Sequence, residues 1–550
     1  MLVFLAACAT DTPAPATEAP VIEPTTPPKD TEEVVPTSEP TVDSGPPYGG
    51  TLVVAIGSDP EHLNTSITSS VTVGLPAGTI TEGLIRIDRD YNAYPVLAET
   101  WDVSADGQQY TFHLRQGVKW HDGEPFTSAD VKFTLEEIST LHGRAGKVID
   151  HITSVEAPDE YTVVVSLDIP FGPFLSFLSN ENVGIQPKHI YEGTEILENP
   201  ANLAPIGTGP FVFSEWVPGE SIEVVRNENY WDAPKPYLDR IVFRIIPDSS
   251  ARILALEAGE IDFISNYDVN FVDVPRLESN SELQVELGRG HPRVLLLFFN
   301  TLEEPFNESG VRQALFMALD RKLMLDAAFG GIGSPGMSSI PPGLSWAYNP
   351  EINYMEMFSY NPATAAAKLD ELGYTVGGDG TRFEARFVFD PAQSGFSDVA
   401  DILRSNWEAI GVKVTLEPRE RAVWIEQLFI TKDFDTGIAF YTSSGDPTLG
   451  VQRAYHCDDI REAGFTNASQ YCNPELDELF DMATAAVTRE ERAEYYFKAQ
   501  EIIARDLPTA VLIDSGFADV VRNTFGGIDE FLVSPETTTP LWDKIYLKTE

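Results

Sequence analysis

Apolar and polar residues alternate from Tyr110 to Arg115, with Tyr110, Phe112 and Leu114 on one side and Thr111, His113 and Arg115 on the other. A period of two predicts a half-buried strand. The pattern then changes. Asp122-Gly123 predicts a tight turn, because Gly reaches φ > 0 cheaply and Asp tolerates it. Thr127 stands three residues before Asp130, a capping-box-like start, and Val131, Leu135 and Ile138 follow at helical spacing.

The same switching recurs down the chain. Gly207-Thr208-Gly209-Pro210 predicts a rigid turn. Ile222 with Val224, and Ile241 with Phe243 and Ile245, predict strands. Ser249 or Ser250 is the expected cap of a helix carrying Ile253, Leu254 and Leu256 to Ala258, stopped by Gly259. Ile261 to Ile264 and Val294 to Phe299 predict further strands, the second one buried. Val311, Leu315, Ala318 and Leu319 form a helical stripe, and Ala363 to Leu372 another, ended by Gly373. A helix over Val399 to Ile410, stopped by Gly411, precedes a strand at Val412, Val414 and Leu416. Ala422 to Ile430 predicts a helix and Phe434 to Tyr441 a strand. Alternating strands and helices predict α/β packing. Trp407, in helical register with Leu403 and Ile410, is expected in the core, as are Trp101, Trp120, Trp231 and Trp542; Trp346 and Tyr348 fit either core or pocket.

The chain has 550 residues and a net charge of -48. The folded part, from about Tyr48 onward, is too long for one core, so two or three lobes are expected. The charge argues against nucleic-acid phosphate and against an anionic membrane surface as partners. No segment of the folded part has the length and apolarity of a membrane-spanning helix. At the start, Leu5-Ala6-Ala7-Cys8 resembles a bacterial lipobox, which makes Cys8 the lipidation candidate. The stretch before it is short and lacks a basic region, so a truncated leader is expected over residues 1–8. Residues 9–48, rich in Pro, Thr, Glu and Ala, predict a disordered tether. Cys457 and Cys472 are left as a disulfide pair, which persists in an exported protein. A metal reading, helped by adjacent His456, is the alternative.

Two stretches carry a family resemblance. One is the run from Pro95 to Glu136, with VKWHDGEPFTSADVKF at its centre; the other is Ile206 to Ile264, beginning IGTGPF. Together with Asn300 to Tyr374 they resemble the family 5 extracellular solute-binding proteins, the peptide- and nickel-binding components of bacterial ABC importers. The resemblance implies a two-lobed periplasmic-binding-protein-like α/β fold with a hinge and an extra subdomain inserted in the first lobe. It places lobe I at 49–93, 205–290 and 520–550, the inserted subdomain at 94–204, and lobe II at 291–519. It implies a monomer with no cofactor, lipid-anchored outside the cytoplasm, that captures a small-molecule or peptide ligand and delivers it to an ABC permease.

The same resemblance implies the site. Ala439 to Pro447 matches the family's ligand-facing strand and turn. Phe440 stands where relatives place a pocket aromatic, and Ala439, Tyr441 and Ser443 are expected to offer backbone groups. Gly57 and Ser58 match the facing segment of the first lobe, and Trp424 is a candidate pocket wall. In peptide binders of the family an Asp near this turn pairs with the ligand's ammonium. Ser443 occupies that position here, so either Asp446 is the anchor or the ligand has no free amine there. Peptide, oligosaccharide and nickel-complex ligands all stay open, as do a secreted hydrolase and a sensory module.

Enzyme signals are weak. Gly331 to Gly336 fits GxGxxG, but it follows a helix and contains Pro335. GxSxG and P-loop motifs are absent. Acidic pairs such as Glu303-Glu304 read as solvated surface.

Overall fold

The computed structural model describes residues 45–68, 70–142, 146–266, 268–288, 292–443, 445–532 and 540–549. Cys8, most of the expected tether, and Ser444 lie outside them.

Three main sheets organise Pro46–Glu550. A seven-stranded sheet draws on distant parts of the chain: Thr51–Ile56, Phe211–Val217, Ser221–Arg226, Arg240–Ile245, Phe263–Ile264, Leu283–Leu287 and Ala518–Arg522. Leu52, Val54, Phe211, Ile222, Ile241, Phe243 and Trp542 fill one side of it. Ala55, Ile253, Leu256, Val274 and Val520 fill the other. A six-stranded sheet contains Arg293–Phe299, Gly333–Pro335, Phe383–Phe389, Val412–Pro418, Thr436–Thr442 and Thr509–Ser515. A four-stranded antiparallel sheet, Ala98–Val103, Gln109–Leu114, Ile152–Asp159 and Thr162–Leu167, lies in sequence between the first two strands of the seven-stranded sheet.

The period-two strand forms as Gln109–Leu114, with Tyr110, Phe112 and Leu114 buried. The following helix starts at Ser128 behind a complete capping box, Thr127 N–H donating to Asp130 Oδ2 at 2.9 Å. Its second half, Thr134–Ile138, winds as a π-turn rather than as α-helix. The Asp122-Gly123 turn and the Gly207–Pro210 turn are pinned together. His121 Nδ1 accepts from Gly207 N–H at 3.3 Å, and Nε2 donates to Gly209 carbonyl at 3.0 Å. Gly207 is obligatory there, since a Cβ would stand 1.9 Å from the Ile80 carbonyl oxygen.

Two expectations change. Asp248, not Ser249 or Ser250, caps the Ser249–Glu257 helix, its carboxylate accepting from Ala251 N–H at 2.7 Å. Leu254 in that helix is 64% exposed. Residues Gly333–Pro335 of the apparent GxGxxG form an edge strand against Thr509–Ser515, so the glycines serve sheet pairing. Trp407 is fully buried and donates to the Leu315 carbonyl at 3.0 Å. Among the described residues no helix is long and apolar enough to cross a membrane.

Candidate functional site

The chain passes between the two large sheets twice, from Leu287 to Arg293 and from Ser515 to Ala518. In the six-stranded sheet Arg293 pairs with both Thr442 and Ser515, so Thr442 ends its strand at the crossing edge. In the seven-stranded sheet Ala518–Arg522 runs antiparallel to Phe263–Ile264, which runs parallel to Thr51–Ile56. Ala518 therefore lies at the edge where those strands have their carboxyl ends, the edge at which Gly57 and Ser58 follow Thr51–Ile56. The two segments singled out in the sequence thus stand on the edges that the crossovers join. Carboxyl ends of strands at such an edge are where α/β sheets commonly receive ligands.

Strand parity decides which backbone groups the second segment offers. Ser443 N–H donates to the Pro292 carbonyl at 2.8 Å, and Asn300 N–H donates to the Asp435 carbonyl at 3.0 Å. Both bonds continue the register in which Tyr441 faces Val294 and Thr436 faces Phe299. Antiparallel pairs alternate, so Ala439, Tyr441 and Ser443 direct their main chain at the neighbouring strand. Phe440 and Thr442 direct theirs the other way, the reverse of the expected set. On that side Phe383–Phe389 pairs only with Thr436 and Gly437. The strand runs on past that pairing, and among the described residues no strand is paired with Phe440 on this side.

The side chains have other tasks. Phe440 packs against Phe329 and Phe396, with the Arg293 guanidinium 4.1 Å from its ring centroid. Ala439 is fully buried. Tyr441 is buried, donates to the Thr466 carbonyl at 2.7 Å, and carries the Arg453 guanidinium 4.7 Å from its ring. Trp424 is buried edge-on against Phe429 and Phe465, which makes it core rather than pocket wall. Ser443 is buried and its Oγ has no hydrogen-bond partner among the described residues.

Asp446 is not an open ammonium acceptor. Its two oxygens take Nη1 and Nη2 of Arg492, each at 2.7 Å, and Oδ1 also accepts Thr448 N–H at 2.9 Å. Arg492 completes its set on the Ala483 carbonyl and the Tyr496 hydroxyl.

On the opposite edge Ser58 is exposed, and Gly57 lies over Asp268 so closely that a Cβ would stand 2.7 Å from its Oδ1. Burial pushes the Asp268 carboxyl up to about 6, against the pull of Arg252, Ser265 and the Gly57 N–H. Elsewhere, Cys457 and Cys472 are joined with their sulfurs 2.08 Å apart, which leaves no thiolate for a metal. His456 Nδ1 accepts Asp458 N–H beside them at 3.2 Å.

Residues 92–461 match the family described as bacterial extracellular solute-binding proteins, family 5 Middle. The chain belongs to this family. Heme-binding protein A of Haemophilus influenzae is 31% identical to the solute-binding protein over 455 residues, covering 77% of this chain and 79% of the relative. The periplasmic binding protein DppA of Helicobacter pylori, solved with the peptide STSA, is 26% identical with a TM-score of 0.75 and covers 92% of this chain and 99% of its own. The oligopeptide-binding protein AppA of Bacillus subtilis, solved with a nonapeptide, is 27% identical with a TM-score of 0.75, over 92% of this chain and 100% of its own. The fold is therefore the two-lobed fold of periplasmic binding proteins.

Arg492, Arg293 and Asp268 escaped sequence reading. Arg492 lies 46 residues from Asp446, and nothing in the helix around it marks its partner. Arg293 reads as the polar start of an apolar strand. Asp268 carries no motif.

Proposed function

We propose that the solute-binding protein is the extracytoplasmic receptor of an ABC importer that takes a peptide in its interlobe crevice and hands it to a membrane permease. The observation that carries this reading is the strand end at Phe440, which among the described residues pairs with no strand on the side away from Arg293–Phe299. A peptide backbone added there gains main-chain hydrogen bonds that ignore side-chain identity. The crevice joins this edge to Gly57 and Ser58 across the two crossovers, so closure of the lobes encloses the guest and excludes water. Relatives solved with peptides support the ligand class.

The remaining assignments follow from this reading. Lobe I comprises 49–93, 205–290 and 520–550, the inserted subdomain 94–204, and lobe II 291–519. Cys8 carries the lipid, and residues 9–48 tether the receptor at the membrane surface. The protein binds its ligand without chemistry on it.

The test is a melting-temperature series against peptide and oligosaccharide panels. A ligand that binds only the folded state raises the melting temperature by mass action. Peptides of several sequences are expected to raise it and to be recovered intact. A response to oligosaccharides alone, or cleavage of the peptides, overturns the reading.

A further inference from the structure

The hairpin turn from Asp88 to Asn92 is shaped by its own side chains. Asp88 Oδ1 accepts Asp90 N–H at 2.9 Å and Asn92 N–H at 2.8 Å, and Oδ2 accepts the Asn92 amide at 3.2 Å. Two further oxygens of the turn are taken by one distant cation. Arg489 Nη1 donates to the Asp90 carbonyl at 3.2 Å and to Asn92 Oδ1 at 3.0 Å, across 399 and 397 residues of sequence. Arg489 opens the helix Arg489–Asp506, and the Trp346 ring lies 5.6 Å from its guanidinium.

Two more loops meet the same segment. Gly172 N–H donates to the Thr484 carbonyl at 3.0 Å, and a Cβ on Gly172 would stand 2.8 Å from Nε of Arg492. Gly107, in the turn between Ala98–Val103 and Gln109–Leu114, lies so close to Val487 that a Cβ would stand 2.8 Å from its Cγ2. Residues 484–492, around the link between the helices Pro474–Ala485 and Arg489–Asp506, thus receive the turn at Asp90, the turn at Gly107 and the loop at Gly172. Gly172 reaches Arg492, which grips Asp446 in the turn after Thr436–Thr442, so the contact extends to that strand end.

The two sides of this contact belong to different bodies. Arg89 Nη2 donates to the Leu532 carbonyl at 3.2 Å, and Leu532 lies in the core of the seven-stranded sheet. His121 ties the four-stranded sheet to Gly207 and Gly209, which lead into the Phe211–Val217 strand of the same large sheet. The helix Arg489–Asp506 leads into Thr509–Ser515 of the six-stranded sheet. The Arg489 bonds therefore bridge the bodies at a place remote in sequence from both crossovers. Turning one body about the crossovers draws the guanidinium away from its acceptors.

From these contacts we infer that residues 484–492 and the three loops form a clasp, keyed by Arg489, through which the protein's own contacts favour the closed arrangement of its lobes. This rests on the two-lobed fold and on no choice of ligand. A clasp of this kind sets the open–closed equilibrium that any ligand must then shift.

The experiment measures hydrogen exchange and small-angle scattering on the full chain without added ligand, as wild type, Arg489→Ala and Asn92→Ala. The Gly172 amide is bonded to Thr484 and not to Arg489, so its exchange reports whether the clasp opens as a unit. Both variants are expected to speed exchange at Gly172 about tenfold, the effect of losing one charge-assisted hydrogen bond, with the amides of Gln109–Leu114 and Thr436–Thr442 still protected. Both are expected to show a larger radius of gyration than the wild type. Unchanged exchange at Gly172 overturns the inference, because the contacts are then independent. Faster exchange with unchanged scattering also overturns it, because the clasp then does not hold the lobes. Asn92→Ala, on an exposed turn, decides the matter where Arg489→Ala does not fold.

Discussion

Arg492 grips Asp446 through two parallel bonds of 2.7 Å, with both side chains 4% exposed. The pair joins the turn after the Thr436–Thr442 strand to the helix Arg489–Asp506. Two charges held this way are mutually dependent: each is tolerated in the interior because the other is there. Removing one partner strands the other. Arg492→Ala and Asp446→Asn are each expected to lower unfolding free energy by about 3–5 kcal/mol in urea titration. Asp446→Asn should weaken free-amine and blocked peptides equally. A selective loss of free-amine binding would return Asp446 to the role of ammonium anchor.

Strand addition at Phe440 predicts a period in the ligand. Along an added strand, alternate residues turn their N–H toward the protein. Methylating the backbone nitrogens of a bound peptide one at a time should weaken binding at least tenfold at every second position and little at the others, measured by calorimetry. Uniform losses would mean that the peptide does not lie as a strand.

His121 predicts an acid-sensitive joint. Burial holds its imidazole down to about 4, below the usual value of 6.5. The neutral ring is needed, because Nδ1 accepts from Gly207 while Nε2 donates to Gly209. A histidine with a lowered folded pKa contributes stability that is complete above about 6.5 and is lost as pH falls toward 4. At about 1.4 kcal/mol per pH unit the loss is roughly 3 kcal/mol. His121→Gln should flatten this part of the stability profile.

Asp268 works in the opposite sense. Its carboxyl is raised to about 6 from 3.8. The folded state therefore holds the proton more tightly, and stability falls as pH rises from about 4 to 6. Asp268→Asn should remove that slope and leave the protein more stable above pH 6, by up to about 3 kcal/mol. The two groups offset each other between pH 4 and 6, so the wild type should be flatter there than either variant. Denaturant midpoints across that range measure all three.

Cys457 and Cys472 close a loop with a sequence separation of 15. The chain-entropy estimate for such a loop is about 3 kcal/mol. The double Cys→Ser variant should lose that much in denaturant titration while retaining peptide affinity.

The sequence alone determined the order of elements, the turns around Asp122-Gly123 and Gly207–Pro210, the core placement of Trp407 and the family. These follow from periodicity and from local backbone demands, which act within a few residues and are written in order along the chain. The family resemblance also singled out Gly57, Ser58 and the segment from Ala439 to Pro447. The tertiary structure decided what those residues do. The parity that turns the main chain of Phe440 rather than Tyr441 away from the Arg293–Phe299 strand depends on pairing with residues more than 140 positions earlier, and a shift of one residue reverses it. Whether Asp446 was free depended on Arg492, and whether Trp424 was wall or core depended on Phe429 and Phe465. Pairing and burial between distant residues leave no period in the chain, so only the assembled fold could settle them.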